Sequence, residues 1–167
     1  MKIIVIGLGN PVLTDDAVGI RISELLENNL PQITFPENTE VHITQNESGG
    51  WDILDLAVGF DVMILIDALL DKSLKPGEMR WYSDKVFTSI RLSGVHSMDV
   101  FSAVEYGKNL KLKVPEQILV LGVGVKDILT FSEKCTPAVE AVIEKGKNEV
   151  IEKIQSIITT SQRGMYA

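Results

Sequence analysis

Three aspartates and one histidine of this chain lie where their side chains could act together. Asp15 and Asp16 lie in the loop after the first apolar run, and Asp67 comes directly after a later one. His96 lies in the loop before a predicted helix. In open parallel sheets, ligands bind just beyond the carboxyl ends of the strands, and these positions fall at that edge. Carboxylates and an imidazole supply oxygen and nitrogen ligands, which suit a divalent transition metal such as nickel or zinc.

Each of these residues also has a purely structural interpretation. Thr14, Asp15 or Asp16 could cap the start of a helix, because each can accept a hydrogen bond from a free backbone N–H. Asp67 could make a turn where the strand stops, and His96 could be a loop residue that is hydrogen-bonded to the backbone. Taken one at a time, these residues leave the metal-site and structural interpretations open.

The elements that must position these residues are predicted from apolar runs and their spacing. Continuous β-branched runs are typical of parallel strands that are buried on both faces. A turn signal at Pro76-Gly77 precedes an isolated strand, which we expect to be an antiparallel edge strand. The predicted parallel strands are Ile3–Ile6, Glu40–Thr44, Val62–Ile66 and Gln117–Val123, and the predicted edge strand is Glu78–Tyr82.

Helices are predicted between most of these strands, so the chain alternates strand and helix. Their predicted positions are Val18–Leu26, Trp51–Ala57 with Ser48 as its cap, a helix from Ser97, and a helix that Thr136-Pro137 opens. The last residues, Thr159 to Ala167, lose the apolar pattern and are expected to fray. This order predicts a single domain over residues 1–167 with an α/β fold: a three-layer α/β/α sandwich around a mostly parallel, twisted sheet of about five strands.

Composition excludes several classes of function. Lys and Arg number 16 and Asp and Glu number 23, giving a net charge of −7. Such a balance disfavours binding to nucleic acid or to an anionic membrane surface. The single cysteine, Cys135, cannot form an internal disulfide. The run Ile3–Ile6 is too short for a signal peptide, and no stretch is long enough to span a membrane, so we expect a soluble, cytoplasmic protein.

A dinucleotide site is the rival interpretation of the first loop. Gly7 and Gly9 begin the glycine fingerprint, but Val12 stands where its third glycine would be. Asp15 and Asp16 would also place negative charge at the helix N-terminus, where a pyrophosphate would have to bind. The sequence therefore disfavours a nucleotide-binding domain, and this interpretation remains the weakest alternative.

Several motifs, in order along nearly the whole chain, resemble those of the hydrogenase maturation proteases. These endopeptidases finish the large subunit of nickel–iron hydrogenases. The first loop is similar to the family's opening motif, and a strand-end aspartate and a short histidine motif follow in the family's order. The matching segments are 7–19, Ser48-Gly49-Gly50, Leu65-Ile66-Asp67-Ala68, Pro76-Gly77-Glu78, His96-Ser97, Leu121-Gly122-Val123 and Thr136-Pro137-Ala138-Val139.

The resemblance implies both an activity and a set of site residues. The family's metal-contacting acid, aspartate and histidine fall on Asp16, Asp67 and His96, which would serve metal binding and catalysis together. The implied substrate is a nickel-loaded large-subunit precursor, from which a C-terminal extension is removed. The nickel would come with the precursor rather than being held tightly by this chain, and the protease is expected to be a monomer. A nickel-sensing chaperone that binds the precursor without cutting it is the alternative.

Overall fold

A five-stranded sheet forms the centre of the protein in the computed structural model, which describes residues 1–48, 50–83 and 100–164. The strand order is β2-β1-β3-β5-β4. All neighbouring pairs are parallel except β4 with β5, which is antiparallel, as the sequence predicts. The strands are β1 (Lys2–Leu8), β2 (Glu40–Asn46), β3 (Val62–Leu69), β4 (Met79–Ser83) and β5 (Gln117–Gly124).

Helices cover both faces of this sheet, which confirms the three-layer α/β/α sandwich. On one face, Ile4, Ile6 and Leu8 of β1 belong to a buried apolar cluster with residues of α2 and α3. On the other face, Ile3 and Val5 belong to a cluster with residues of α1 and α5. The helices are α1 (Val18–Asn29), α2 (Trp51–Ala57), α3 (Val100–Asn109), α4 (Pro137–Glu140) and α5 (Ile143–Gly164), and a 3₁₀ turn at Leu30–Gln32 follows α1.

The central strand β3 is longer than predicted. All eight of its residues are buried, which explains why all of them except Asp67 are apolar. The expectation that the strand stops at Asp67 is wrong, because the ladder with β5 continues through the pairs Asp67–Gly122, Ala68–Val123 and Leu69–Gly124. Asp67 therefore lies within a strand rather than at a turn.

The helix that follows Thr136 also differs from the prediction. The predicted single helix is divided into the short α4 and the long α5. The expectation that the chain frays from Thr159 is wrong, because α5 continues to Gly164. Apolar residues of α5 as far along as Ile158 belong to the core. The hydroxyls of Thr159 and Thr160 donate to carbonyls one turn earlier, so the helix remains regular after its last core contact.

The predicted caps of α1 and α2 are wrong, whereas the predicted helix start at Thr136-Pro137 is confirmed in position, although the Thr136 hydroxyl bonds Asp15 rather than its own helix. Ala17 caps α1, Gly50 caps α2 and Thr136 caps α4, each without a side-chain hydrogen bond to its helix. The predicted helix start at Ser97 lies outside the described residues. None of the described helices combines the length and the apolarity that a membrane span requires.

Candidate active site

The start of α1 lies directly against the backbone of β1 and β3. A Cβ atom on Gly19 would lie 2.2 Å from the carbonyl oxygen of Ile66 and 2.3 Å from that of Leu8. Only glycine permits so close an approach. Since Asp16 precedes Gly19 by three residues and Asp67 follows Ile66, this contact brings both carboxylates to the carboxyl edge of the sheet.

Asp16 is fixed within its own loop. Its side chain is buried, and Oδ2 accepts a hydrogen bond of 2.8 Å from the backbone N–H of Asn10. Gly9 has a φ of +137°, and a Cβ there would lie 1.8 Å from the backbone carbonyl oxygen of Asp16. The loop therefore closes tightly on Asp16, and glycine is required for that closure.

Asp67 is a buried carboxylate with one oxygen that has no hydrogen-bond donor among the described residues. It is 1% exposed, and its Oδ2 has no hydrogen-bond partner in the described part of the chain. Burial raises the pKa of this carboxyl well above its usual range, and the nearby Asp16 raises it further, while an Ala68 N–H opposes the shift. A carboxyl in this setting is stabilised by a proton or by a cation.

Asp67 projects from the sheet face that α2 and α3 cover. Side chains alternate between the two faces along a strand, which places Asp67 on the face of Leu65 and Leu69. Both leucines belong to the apolar cluster on that face. Apolar neighbours explain why burial is the largest contribution to the raised pKa of Asp67.

Asp15 has a structural role that the sequence did not reveal. It is completely buried, and its carboxylate accepts hydrogen bonds from the backbone N–H groups of Lys126, Asp127 and Thr136 and from the Thr136 hydroxyl. The donor–acceptor distances lie between 2.6 and 3.1 Å. Asp15 thus joins the loop after β1 to the loop after β5, and it is not available as a metal ligand.

Of the predicted metal-contacting set, the structure brings together two members. Asp16 and Asp67 are close enough for the charge of the first to shift the pKa of the second. His96 lies outside the described residues. Within 1–48, 50–83 and 100–164, no group of three His, Cys, Asp or Glu residues is arranged to hold a metal ion.

Dinucleotide binding at the first loop and nucleophilic chemistry at Cys135 gain no support from the described residues. Gly7, in β1, packs against α1, since a Cβ there would lie 2.1 Å from Oγ of Ser23, so this glycine serves helix packing, and Gly9 serves the closure of the loop on Asp16. Cys135 is buried as expected, and burial, followed by Glu140 and Asp15, raises the pKa of its thiol to about 11. A thiol with that pKa forms little thiolate at neutral pH and is a poor nucleophile.

Two grooves lie at the opposite, amino edge of the sheet. One of about 440 Å³ is lined by residues that include Asp61, Gln117 and Lys153, and one of about 370 Å³ lies beside Met1 and Glu37. Neither groove includes any of the predicted site residues.

Comparisons with known proteins identify similar chains. Residues 20–153 match a family model described as hydrogenase maturation protease. The hydrogenase 2 maturation protease of Escherichia coli (strain K12) is 30% identical over 156 residues, covering 90% of this chain and 89% of that protein. The structure of the hydrogenase maturating endopeptidase HybD from E. coli superposes with a TM-score of 0.76 at 26% identity, covering 93% of each chain. The solution structure of an endopeptidase from E. coli gives a TM-score of 0.72 at 28% identity, also over 93% of each chain.

Proposed function

The chain belongs to the hydrogenase maturation protease family and is a peptidase, and from that premise we propose that it removes a C-terminal extension from the large-subunit precursor of a nickel–iron hydrogenase. The proposed substrate is the precursor that has already received its nickel. Removal of the extension would let the subunit close over its finished metal centre. The observation that carries the proposal is the buried Asp67 carboxylate, which lies near Asp16 and whose Oδ2 has no hydrogen-bond partner among the described residues.

The proposed role of Asp16, Asp67 and His96 is to contact the nickel that the precursor presents. Two carboxylates and an imidazole are suitable ligands for such a metal, and three ligands leave coordination positions for the substrate. Burial penalises the charged form of Asp67, and a cation offsets that penalty only when the loaded precursor is bound. Cleavage would then act as a checkpoint on metal loading.

Hydrolysis of the peptide bond requires that a water oxygen attack the carbonyl carbon. The bond between carbon and nitrogen then breaks, and the departing amine takes a proton. Two routes are compatible with the carboxylates: the substrate's nickel polarises the carbonyl or the water, or a carboxylate removes a proton from the water as general base. A carboxyl with a raised pKa, such as Asp67, is a stronger base than an ordinary aspartate.

The proposal is tested by a cleavage assay read by mass spectrometry. Purified protein is mixed with large-subunit precursor, once nickel-loaded and once nickel-free. We expect loss of a C-terminal peptide from the loaded precursor alone. Asp67→Ala and His96→Ala should abolish this cleavage, whereas Asp55→Ala, which removes an exposed carboxylate of α2, should cut at the wild-type rate.

Two results would contradict parts of the proposal. Wild-type rates for Asp67→Ala and His96→Ala would overturn the assigned roles. Failure of the wild-type protein to cut either form, together with a stable complex with the uncut loaded precursor, would favour a nickel-sensing chaperone.

A further inference from the structure

Large apolar side chains are exposed at the carboxyl edge of the sheet, next to the candidate site. Leu129 and Phe131, in the loop after β5, are 80% and 79% exposed, and Val12, in the loop after β1, is 53% exposed. We call these three residues the apolar rim. Val12 lies four residues before Asp16 on the same loop, so the apolar rim and the candidate site share one segment of backbone.

The two loops that carry the apolar rim are hydrogen-bonded to each other. Leu13 and Phe131 form an antiparallel bridge. The Thr14 N–H donates to the carbonyl of Thr130 at 2.9 Å, and the Ser132 N–H donates to the carbonyl of Val12 at 3.1 Å. This pairing forms a short ribbon, so the backbone of the apolar rim is ordered before any partner binds.

Carboxylates fix the ribbon further. Asp127 accepts hydrogen bonds of 3.0 Å from the backbone N–H groups of Leu129 and Thr130, which sets the turn that presents Leu129. Asp15 holds the same loop through Lys126 and Asp127. The loop is therefore fixed at several points while its two largest apolar side chains remain in water. Exposed apolar side chains on an ordered backbone are typical of surfaces that another polypeptide covers.

We propose that the apolar rim binds an apolar segment of the precursor polypeptide close to the bond that is cleaved. This inference rests on the proposed function, because it takes the precursor as the substrate. A peptidase must bind the chain that flanks the scissile bond, and the apolar rim lies beside the carboxylates proposed to meet the substrate's nickel. The adjacent charges are of both signs, Lys126 and Lys134 with Asp127 and Glu133, so burial of apolar surface rather than net charge selects the segment.

The test compares two double variants of exposed apolar residues. Leu129→Ser with Phe131→Ser removes most of the apolar rim. Leu110→Ser with Leu112→Ser changes residues that are 53% and 41% exposed between α3 and β5, toward the opposite edge. For cleavage of the loaded precursor, we expect the first variant to raise KM by about tenfold with kcat within about twofold. The control should retain both constants, and both variants should keep the wild-type melting temperature because the side chains are exposed.

The possible outcomes separate this inference from the proposed function. If the wild-type protein cuts the loaded precursor and the apolar-rim variant has an unchanged KM, the inference is overturned and the proposed function stands. If the wild-type protein neither cuts nor binds the precursor, both are overturned. If sedimentation shows a wild-type dimer that the apolar-rim variant loses, the apolar rim is an interface between copies of this chain, which also overturns the inference.

Discussion

Asp15 and Asp67 are both buried carboxylates at the carboxyl edge of the sheet, yet their surroundings are opposite. Asp15 accepts four hydrogen bonds, three from backbone N–H groups and one from a hydroxyl. Oδ2 of Asp67 has no partner among the described residues. The first carboxylate holds two loops together, whereas Oδ2 of the second can accept a proton or a cation without giving up a hydrogen bond to any described residue.

This difference distinguishes a structural acid from a candidate functional one. Burial alone does not make the distinction, because Asp15 is 0% exposed and Asp67 is 1% exposed. What differs is whether the fold supplies donors that replace the lost water. A buried carboxylate that receives hydrogen bonds from the fold stabilises the protein. A buried carboxylate with few donors carries a desolvation penalty, which a substrate's cation can offset.

The largest loss of stability is expected from Asp15→Ala. The change leaves three N–H groups and a hydroxyl without their acceptor, so the free energy of unfolding should fall by about 3 kcal/mol or more. Urea unfolding measures this change. Asp127→Ala in the same region is the control: its carboxylate accepts hydrogen bonds from the Leu129 and Thr130 N–H groups in a more exposed turn, so its loss should lower the free energy of unfolding clearly less than Asp15→Ala does. Equal losses in the two variants would contradict the role of Asp15.

Asp67→Asn is expected to act in the opposite direction and to stabilise the protein at neutral pH. The folded-state pKa of Asp67 is raised above its ordinary value of 3.8, so the folded chain binds more protons than the unfolded chain between the two values. Wild-type stability therefore falls as pH rises through that interval, and asparagine removes the dependence. The variant should unfold at a higher urea concentration than the wild type at pH 7, with the difference closing as pH falls toward 3.8.

Asp61→Asn supplies a control of opposite sign for that pH series. The Lys113 ammonium and then the Lys2 N–H lower the pKa of Asp61, so its contribution is present at neutral pH and is lost in acid. This variant should be slightly less stable than the wild type at pH 7 and equal to it in strong acid. A stability difference of the same sign in the Asp67 and Asp61 variants would refute the comparison.

The smallest effect is expected from Thr136→Val, which removes one of the four donors to Asp15 while keeping the shape of the side chain. Two backbone N–H groups still reach Oδ2, so the free energy of unfolding should fall by about 1 kcal/mol. Thr159→Val, whose hydroxyl bonds an exposed helix carbonyl, should change it by less than about 0.5 kcal/mol. Thermal unfolding of the pair measures the difference, and a neutral Thr136→Val would show that the hydroxyl contributes nothing.

The apolar runs of the sequence were sufficient to predict the sheet. Runs such as Ile3–Ile6 and Val62–Ile66 predicted parallel strands because only strands covered on both faces remain apolar at every position. The turn at Pro76-Gly77 predicted the antiparallel edge strand. Because the carboxyl ends of parallel strands share one edge, the positions of Asp16 and Asp67 followed as well.

Local patterns failed wherever a distant residue supplied the partner. The capping interpretation of Asp15 was wrong because its donors come from residues more than 110 positions away, which no spacing reveals. The end of β3 was misplaced for the same reason, since pairing with Gly122–Gly124 carries the strand past Asp67.

Sequence by itself therefore determined the fold class, the shared edge and the residue types available there. Only the tertiary structure decided that Asp15 is a structural carboxylate and that Oδ2 of Asp67 has no donor in the described part of the chain. The physical reason is that a carboxylate's protonation and role depend on the donors and charges within a few ångströms of it, and folding brings those from remote parts of the chain.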